Sequence, residues 1–152
     1  MICYLAGPID LSKEGFQNWK GVCKDTLAKH GITSIDPAGT FTYAQSKNKA
    51  DRIGTAQSLM AINEFNLVNS DVAIVYISRS VPSVGTPIEL KICADRKIPH
   101  VVVITGDPKL PLPAYVEGLA QHVVYTMNEA LEWVINFVRD EIENNPEYHA
   151  NS

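Results

Sequence analysis

The chain has 152 residues, 45% of them hydrophobic and 20% charged, with a formal net charge of −4; that is the balance of one globular domain with a full core. No Lys/Arg cluster offsets the acidic balance, which argues against nucleic acid or an anionic membrane as the main partner. No basic stretch leads into an apolar one within residues 1–20, no apolar run reaches membrane-spanning length, and Cys3, Cys23 and Cys93 lie far apart without metal-ligand spacing. The expectation is a cytoplasmic protein with buried, reduced thiols.

Ile2 to Ala6 is a short apolar run ended by Gly7-Pro8, the pattern of a strand entering a turn. From Ser12 to His30, Phe16, Trp19, Val22, Cys23 and Leu27 recur at helical spacing, with Ser12 as N-cap and His30-Gly31 as the stop. Ile32 to Ile35 reads as the next strand, ended by Asp36-Pro37-Ala38-Gly39. Residues 37–57 are polar and weakly periodic, so they form either a functional lid or a frayed, partly helical insertion. Ser58 to Ser70 is read as a helix that turns Ala61, Phe65 and Val68 onto the sheet, with Asn63 and Asn66 side by side on another stripe.

Val72 to Ile77 is apolar and β-branched, the pattern of a strand buried on both faces. A loop of Ser, Arg, Pro and Gly follows, then a helix from Thr86 or Pro87 to about Arg96. Ile98 to Thr105 is a strand, and Gly106 to Tyr115, with three prolines, is an irregular loop. Val116 to Gln121 reads as a short helix and His122 to Tyr125 as a fifth strand. Met127 to Ile142 is an amphipathic helix with Leu131, Val134, Ile135 and Val138 inward. Residues 1–143 thus make a single α/β domain, and 144–152 a loose polar tail. The alternation of strands and helices implies a flavodoxin-like three-layer sandwich around a five-stranded parallel sheet, in the order 2-1-3-4-5. Ligands bind outside the carboxyl ends of such strands, where the order reverses, so the segments 7–10 and 82–89 should face one site.

Glu89 is the candidate catalytic carboxylate there. Thr86-Pro87-Ile88-Glu89 also fits a capping box, and a carboxylate near a helix N-terminus is favoured as the anion, the form a glycosidic nucleophile needs. Gly7 and Gly85 allow close backbone approach to a ligand. Ser83 is either a turn residue or a contact for a phosphate or hydroxyl group, and Tyr4 is wall or core. Asp10 and Asp36 end strands, where acids bind sugar hydroxyls or cap. There is neither a G-x-G-x-x-G after the first strand nor a Walker sequence, so no cofactor is expected. The four histidines form no cluster in sequence, so no metal and no Ser-His-Asp triad is assigned.

Tyr4-Leu5-Ala6-Gly7-Pro8, Ser70-Asp71-Val72 and Gly85-Thr86-Pro87-Ile88-Glu89-Leu90, with Ala94 and Lys97-Ile98-Pro99 behind them, together resemble the nucleoside 2-deoxyribosyltransferase superfamily over roughly residues 2–104. The resemblance implies a flavodoxin-like fold, cleavage of an N-glycosidic bond and Glu89 as the nucleophile of a glycosyl-enzyme intermediate. It also implies a small-molecule nucleoside or nucleotide as partner, and a homodimer or higher homo-oligomer. The transferases carry an Asp six residues before the Glu, whereas the deoxynucleoside 5′-monophosphate N-hydrolases carry a phosphate-binding Ser in a Pro-Ser-x-Gly stretch. This chain has Pro82-Ser83-Val84-Gly85. A hydroxyl can donate to a phosphate that an Asp would repel, so the resemblance leans to the hydrolase branch.

Two positions depart from the pattern. The family's general-acid Asp falls on Asn63, so Asn63 reads the base while another group protonates it, or Glu64 or Asp51 takes the acid role. The second phosphate-binding Ser falls on Pro113. The expected function is an N-glycosidase acting on a (deoxy)nucleoside 5′-monophosphate. Glu89, Tyr4 and Asn63 would form the catalytic set, and Gly7, Pro8, Ile9, Asp10, Ser83 and Gly85 the substrate contacts. The alternatives are a nucleoside 2-deoxyribosyltransferase and a nucleotide-binding module without turnover.

Overall fold

The computed structural model describes residues 1–7, 19–37, 49–81, 83 and 85–149, with backbone alone at 49–55, 148 and 149. Its strands are β1 (Ile2–Ala6), β2 (Thr33–Ile35), β3 (Val72–Ser78), β4 (His100–Thr105) and β5 (Val123–Val124). They form one sheet in the order β2-β1-β3-β4-β5, and every pairing is parallel. The helices are α1 (Trp19–Ala28), α2 (Lys49–Val68), α3 (Gly85–Arg96), α4 (Ala114–Leu119), α5 (Met127–Asn144) and α6 (Pro146–His149).

All of β3 is buried, as its unbroken apolar run requires of a central strand covered on both faces. Side chains alternate across the pleat. Cys3, Leu5, Val72, Ile74, Val101 and Val103 pack under α1 and α5. Tyr4, Ala6, Ala73, Val75, Val102 and Ile104 face the other way, toward Leu67 of α2, Leu90 and Cys93 of α3 and Val116 of α4. The register is pinned at its start, where the Ile2 N–H donates to the Asp71 carboxylate at 2.7 Å. Gly31 closes α1 at φ +71, the left-handed turn that the His30-Gly31 pair signals.

Several boundaries and faces differ from expectation. α2 begins at Lys49, so residues 49–57 are helix rather than lid: Ala, Lys, Arg and Gln give the segment helical propensity that its weak periodicity hid. The rest of that stretch, 38–48, lies outside the described residues, as do Ser12 and Phe16. The inward stripe of α2 is also rotated. Leu67 is fully buried, whereas Ala61 is exposed, Phe65 is 68% exposed and Val68 38%. The less exposed positions are Ala56, Leu59, Asn63, Asn66 and Leu67, which recur at helical spacing. The two asparagines therefore share the packed stripe, and the aromatic residue points out. On α1, Cys23 and Leu27 are buried but Val22 points outward. β2 starts one residue later than expected, β5 is only two residues long, and α4 begins at Ala114, directly after Pro113 at the N-cap. Residues 146–149 are helical rather than loose.

The rotated stripe makes an uneven pair of variants. Leu67→Ala should cost about 2–5 kcal/mol, as expected for a fully buried leucine. Phe65→Ala should stay within about 0.5 kcal/mol, as surface substitutions do. Urea unfolding of both reads the difference.

Candidate functional site

The order reverses at β1 and β3, whose carboxyl ends open side by side because Tyr4 pairs with Ala73 and Ala6 with Val75. Tyr4 is fully buried on the face that α3 covers, and this points its ring at the helix that carries Glu89. α3 starts earlier than expected, and its cap is different. Ser83 Oγ accepts from the Thr86 N–H at 3.4 Å and lies 3.0 Å from Thr86 Oγ1. Ser83 is therefore the capping side chain, and the Thr86–Glu89 box does not form. Glu89 sits one turn inside the helix and has no part in the cap.

Burial dominates the Glu89 carboxyl and pushes it up to about 7, against the opposing effects of the Tyr4 hydroxyl and the Lys20 ammonium. The helix N-terminus does not hold it in the usual carboxylate range, because desolvation is the larger effect here. Tyr4 in turn has its phenol pushed up, first by burial and then by the Glu89 charge. The two groups act on one another electrostatically, yet they fall short of hydrogen-bond geometry: Tyr4 Oη and Glu89 Oε2 are both buried without a partner.

Lys20, at the start of α1, completes the cluster. Burial lowers its pKa, Asp36 and Glu89 oppose that shift, and Lys24 adds to it. Its Nζ lies 5.4 Å from the Trp19 ring centroid, a cation–π distance. Lys24 pairs with Asp36 at 2.5 Å, and Asp36 Oδ1 stays buried without a partner. Trp19 stacks on Tyr76 at 5.1 Å. Gly7 lies beneath them, where a Cβ would collide with the Trp19 ring and stand 3.1 Å from Tyr76 Cβ. Packing of that stack requires a glycine at position 7, the residue at which close approach to a ligand was expected. Nothing local in the sequence sets Lys20 apart from Lys24, the other lysine of its helix.

The other expected residues scatter. Gly85 flanks the carboxylate, and a Cβ there would stand 4.0 Å from Glu89 Oε1. Asn63 is half-buried on α2. Glu64, the alternative acid, is 52% exposed and lies 3.9 Å from Arg96. Pro8, Ile9 and Asp10 lie outside the described residues, as does the Asp51 side chain. Ser83 and Thr86 line a cavity of about 290 Å³ together with Arg79 and Pro113. Cys3, Cys23 and Cys93 are buried thiols, and burial raises Cys23 and Cys93 to about 12. His100 is structural: its Nε2 accepts from the Gln121 N–H at 3.0 Å while Nδ1 faces the Ile98 carbonyl at 2.8 Å.

No family model and no curated protein matches the chain. Solved structures do. The chain is similar to a 2-deoxyribosyltransferase from Bacillus psychrosaccharolyticus at 15% identity and a TM-score of 0.63, over 85% of this chain and 89% of that one. A 2-desoxiribosyltransferase from Leishmania mexicana is similar at 14% identity and a TM-score of 0.63, over 89% and 97%. A conserved protein from Enterococcus faecalis V583 is similar at 16% identity and a TM-score of 0.61, over 87% and 95%. The sheet and its flanking helices are the flavodoxin-like fold that these deoxyribosyltransferases share.

The raised pKa has a stability consequence with a defined sign. Glu89 binds its proton more tightly folded, at about 7, than at its ordinary 4.5. Its contribution is therefore fully present below about pH 4.5 and is lost as the pH rises through 7. Glu89→Gln should match the parent near pH 4.5 and exceed it above pH 7, by up to about 3 kcal/mol. Urea midpoints at the two pH values check this.

Proposed function

We propose that the chain is an N-glycosidase that cleaves the base–sugar bond of a (deoxy)nucleoside 5′-monophosphate, with Glu89 as nucleophile. The observation that carries the reading is the half-buried Glu89 carboxyl on the helix packed against the buried Tyr4, acted on by both the Tyr4 hydroxyl and the Lys20 ammonium. In the ionised form Glu89 attacks C1′. The C1′–N bond breaks, its electron pair leaves with the base, and the base takes up a proton from solvent water, balanced by the proton that the attacking water gives up in the second step. Water then attacks C1′, releases the sugar phosphate and regenerates the carboxylate. Tyr4 and Lys20 are positioning residues that favour the ionised carboxylate. Asn63 contacts a base edge, which an amide can hold but cannot protonate. Ser83 is the hydroxyl within reach of a phosphate.

A second reading has specific support: two of the similar structures are deoxyribosyltransferases, which would make the acceptor a second base rather than water. Chromatography of free bases after incubation with nucleosides and their 5′-monophosphates separates the two. Base release from monophosphates alone is the expected result. Release only from nucleosides, accelerated by an added base, would move the chain to the transferases, and silence across the panel would leave a binding module. Glu89→Ala should lower turnover by several orders of magnitude.

The pH profile is a separate test. kcat/KM should rise through an apparent pKa near 7, because only ionised Glu89 attacks. Lys20→Met removes a group that favours that ion, so the acidic limb should move to higher pH. An unmoved limb would detach Lys20 from Glu89.

A further inference from the structure

The Lys20 amine is a nucleophile that the glycosidase reading uses only as a charge. Lys20 is half-buried at the start of α1. Aromatic packing sets its place. Its Nζ lies 5.4 Å from the Trp19 ring centroid, and that ring stacks on Tyr76 with the centroids 5.1 Å apart. A Cβ at Gly7, directly after β1, would collide with the same ring. The amine therefore stands near the end of β1, the strand paired with β3, and the helix that follows β3 carries Glu89.

Lys20 and Lys24 lie about one turn apart on α1 and differ in their partners. Lys24 holds Asp36 as an ion pair. Among the described residues no carboxylate stands within ion-pair distance of Lys20. A lysine that served only to balance charge would gain most at that distance, and Lys20 stands off from both Asp36 and Glu89. Two more polar atoms of the cluster lack partners: Tyr4 Oη and Glu89 Oε2 are buried without a hydrogen bond. Buried polar groups left unpaired are costly, so this set calls for a ligand. The ligand that answers all three groups has an electrophilic carbon for the amine and hydroxyls for the phenol and the carboxyl. We propose that Lys20 captures a short hydroxyaldehyde as an imine, with Glu89 carrying the protons. The proposal deepens the N-glycosidase reading and rests on it only for the identity of the sugar: hydrolysis at C1′ releases a hemiacetal whose open form is such an aldehyde.

The step balances. The Glu89 carboxylate takes a proton from the Lys20 ammonium. The freed lone pair forms the N–C bond as the carbonyl π pair moves onto oxygen, and a proton passes from nitrogen to that oxygen to give the carbinolamine. Glu89 returns its proton to the new hydroxyl, the C–O bond breaks, water leaves, and the nitrogen lone pair closes the protonated imine. One aldehyde and one ammonium become one protonated imine and one water, and Glu89 ends as a carboxylate. The electrostatics suit both partners. Burial lowers the Lys20 ammonium, which raises the share of neutral amine, and the Glu89 carboxyl, pushed up to about 7, exchanges its proton near neutrality. The Tyr4 hydroxyl is left to bond a hydroxyl of the bound aldehyde.

Trapping with sodium cyanoborohydride tests this, with glycolaldehyde, 2-deoxyribose and 2-deoxyribose 5-phosphate as probes and peptide mass spectrometry as the readout. The expected result is a reduced adduct at Lys20, formed faster than at Lys24 or any other lysine. Lys20→Met and Lys20→Arg should both lose it. The arginine variant keeps a cation beside Glu89, so it answers the question where the methionine variant does not fold. Glu89→Gln should slow the adduct about tenfold or more, because the proton carrier is gone. Overturning results are no adduct, adducts spread evenly over the lysines, or a Lys20 adduct whose rate Glu89→Gln leaves unchanged. A Glu89-dependent adduct at Lys20 without base release from any nucleoside or monophosphate would overturn the glycosidase reading alone. Base release without a Lys20 adduct would overturn this proposal alone.

Discussion

The pairing of β1 with β3 is the constraint on which the rest depends. β1 lies between β2 and β3, so the chain passes from β1 to β2 on one side and then crosses back to β3 on the other. At that reversal the carboxyl ends of β1 and β3 lie side by side, the place where ligands bind in such sheets. The Asp71 carboxylate, by taking the Ile2 N–H, fixes where the pairing starts. A slip of one residue would turn Tyr4 to the opposite face, away from α3. The position of the buried phenol beside Glu89 thus depends on a hydrogen bond to the Asp71 side chain at the far end of the strand.

At that edge the energetics run against the fold. A carboxyl among buried groups is costly when ionised, and neither the Tyr4 hydroxyl nor the Lys20 ammonium fully offsets the burial. The same burial lowers the Lys20 ammonium. Each ion reduces the cost of the other, and Asp36, held by Lys24, adds negative charge that also favours the Lys20 ammonium. The result is a carboxyl that changes state near neutrality, the range in which a group can serve as base or nucleophile without being locked into one form.

What the sequence made legible followed from long apolar runs and from turn chemistry. β1, β3 and α5 carry unbroken or amphipathic patterns whose only stable placement is against a core, and the strand order follows from their alternation. The departures arise where side chains answer to distant partners. Phe65 and Val68 are apolar yet point outward, and Asn63 and Asn66 are polar yet share the packed stripe, so a rule based on hydrophobicity picks the wrong face of α2. Glu89 fits a capping box by spacing, but Ser83 reaches the Thr86 N–H first. Lys20 and Arg79 gain their meaning from Glu89 and from the segment at 105–108, contacts that no local window contains.

Ser83 also explains why spacing, more than composition, marks this segment. Its hydroxyl caps α3, and its position on the cavity wall is set by the same bond to Thr86. Glu89 then follows one helical turn after Gly85, close enough that a Cβ at Gly85 would meet its carboxylate oxygen. Inserting or deleting one residue between Ser83 and Glu89 would rotate the carboxyl by about 100° around the helix, away from Tyr4, while the cap stayed in place. The spacing from the capping serine to Glu89 therefore fixes which side of α3 carries the carboxyl.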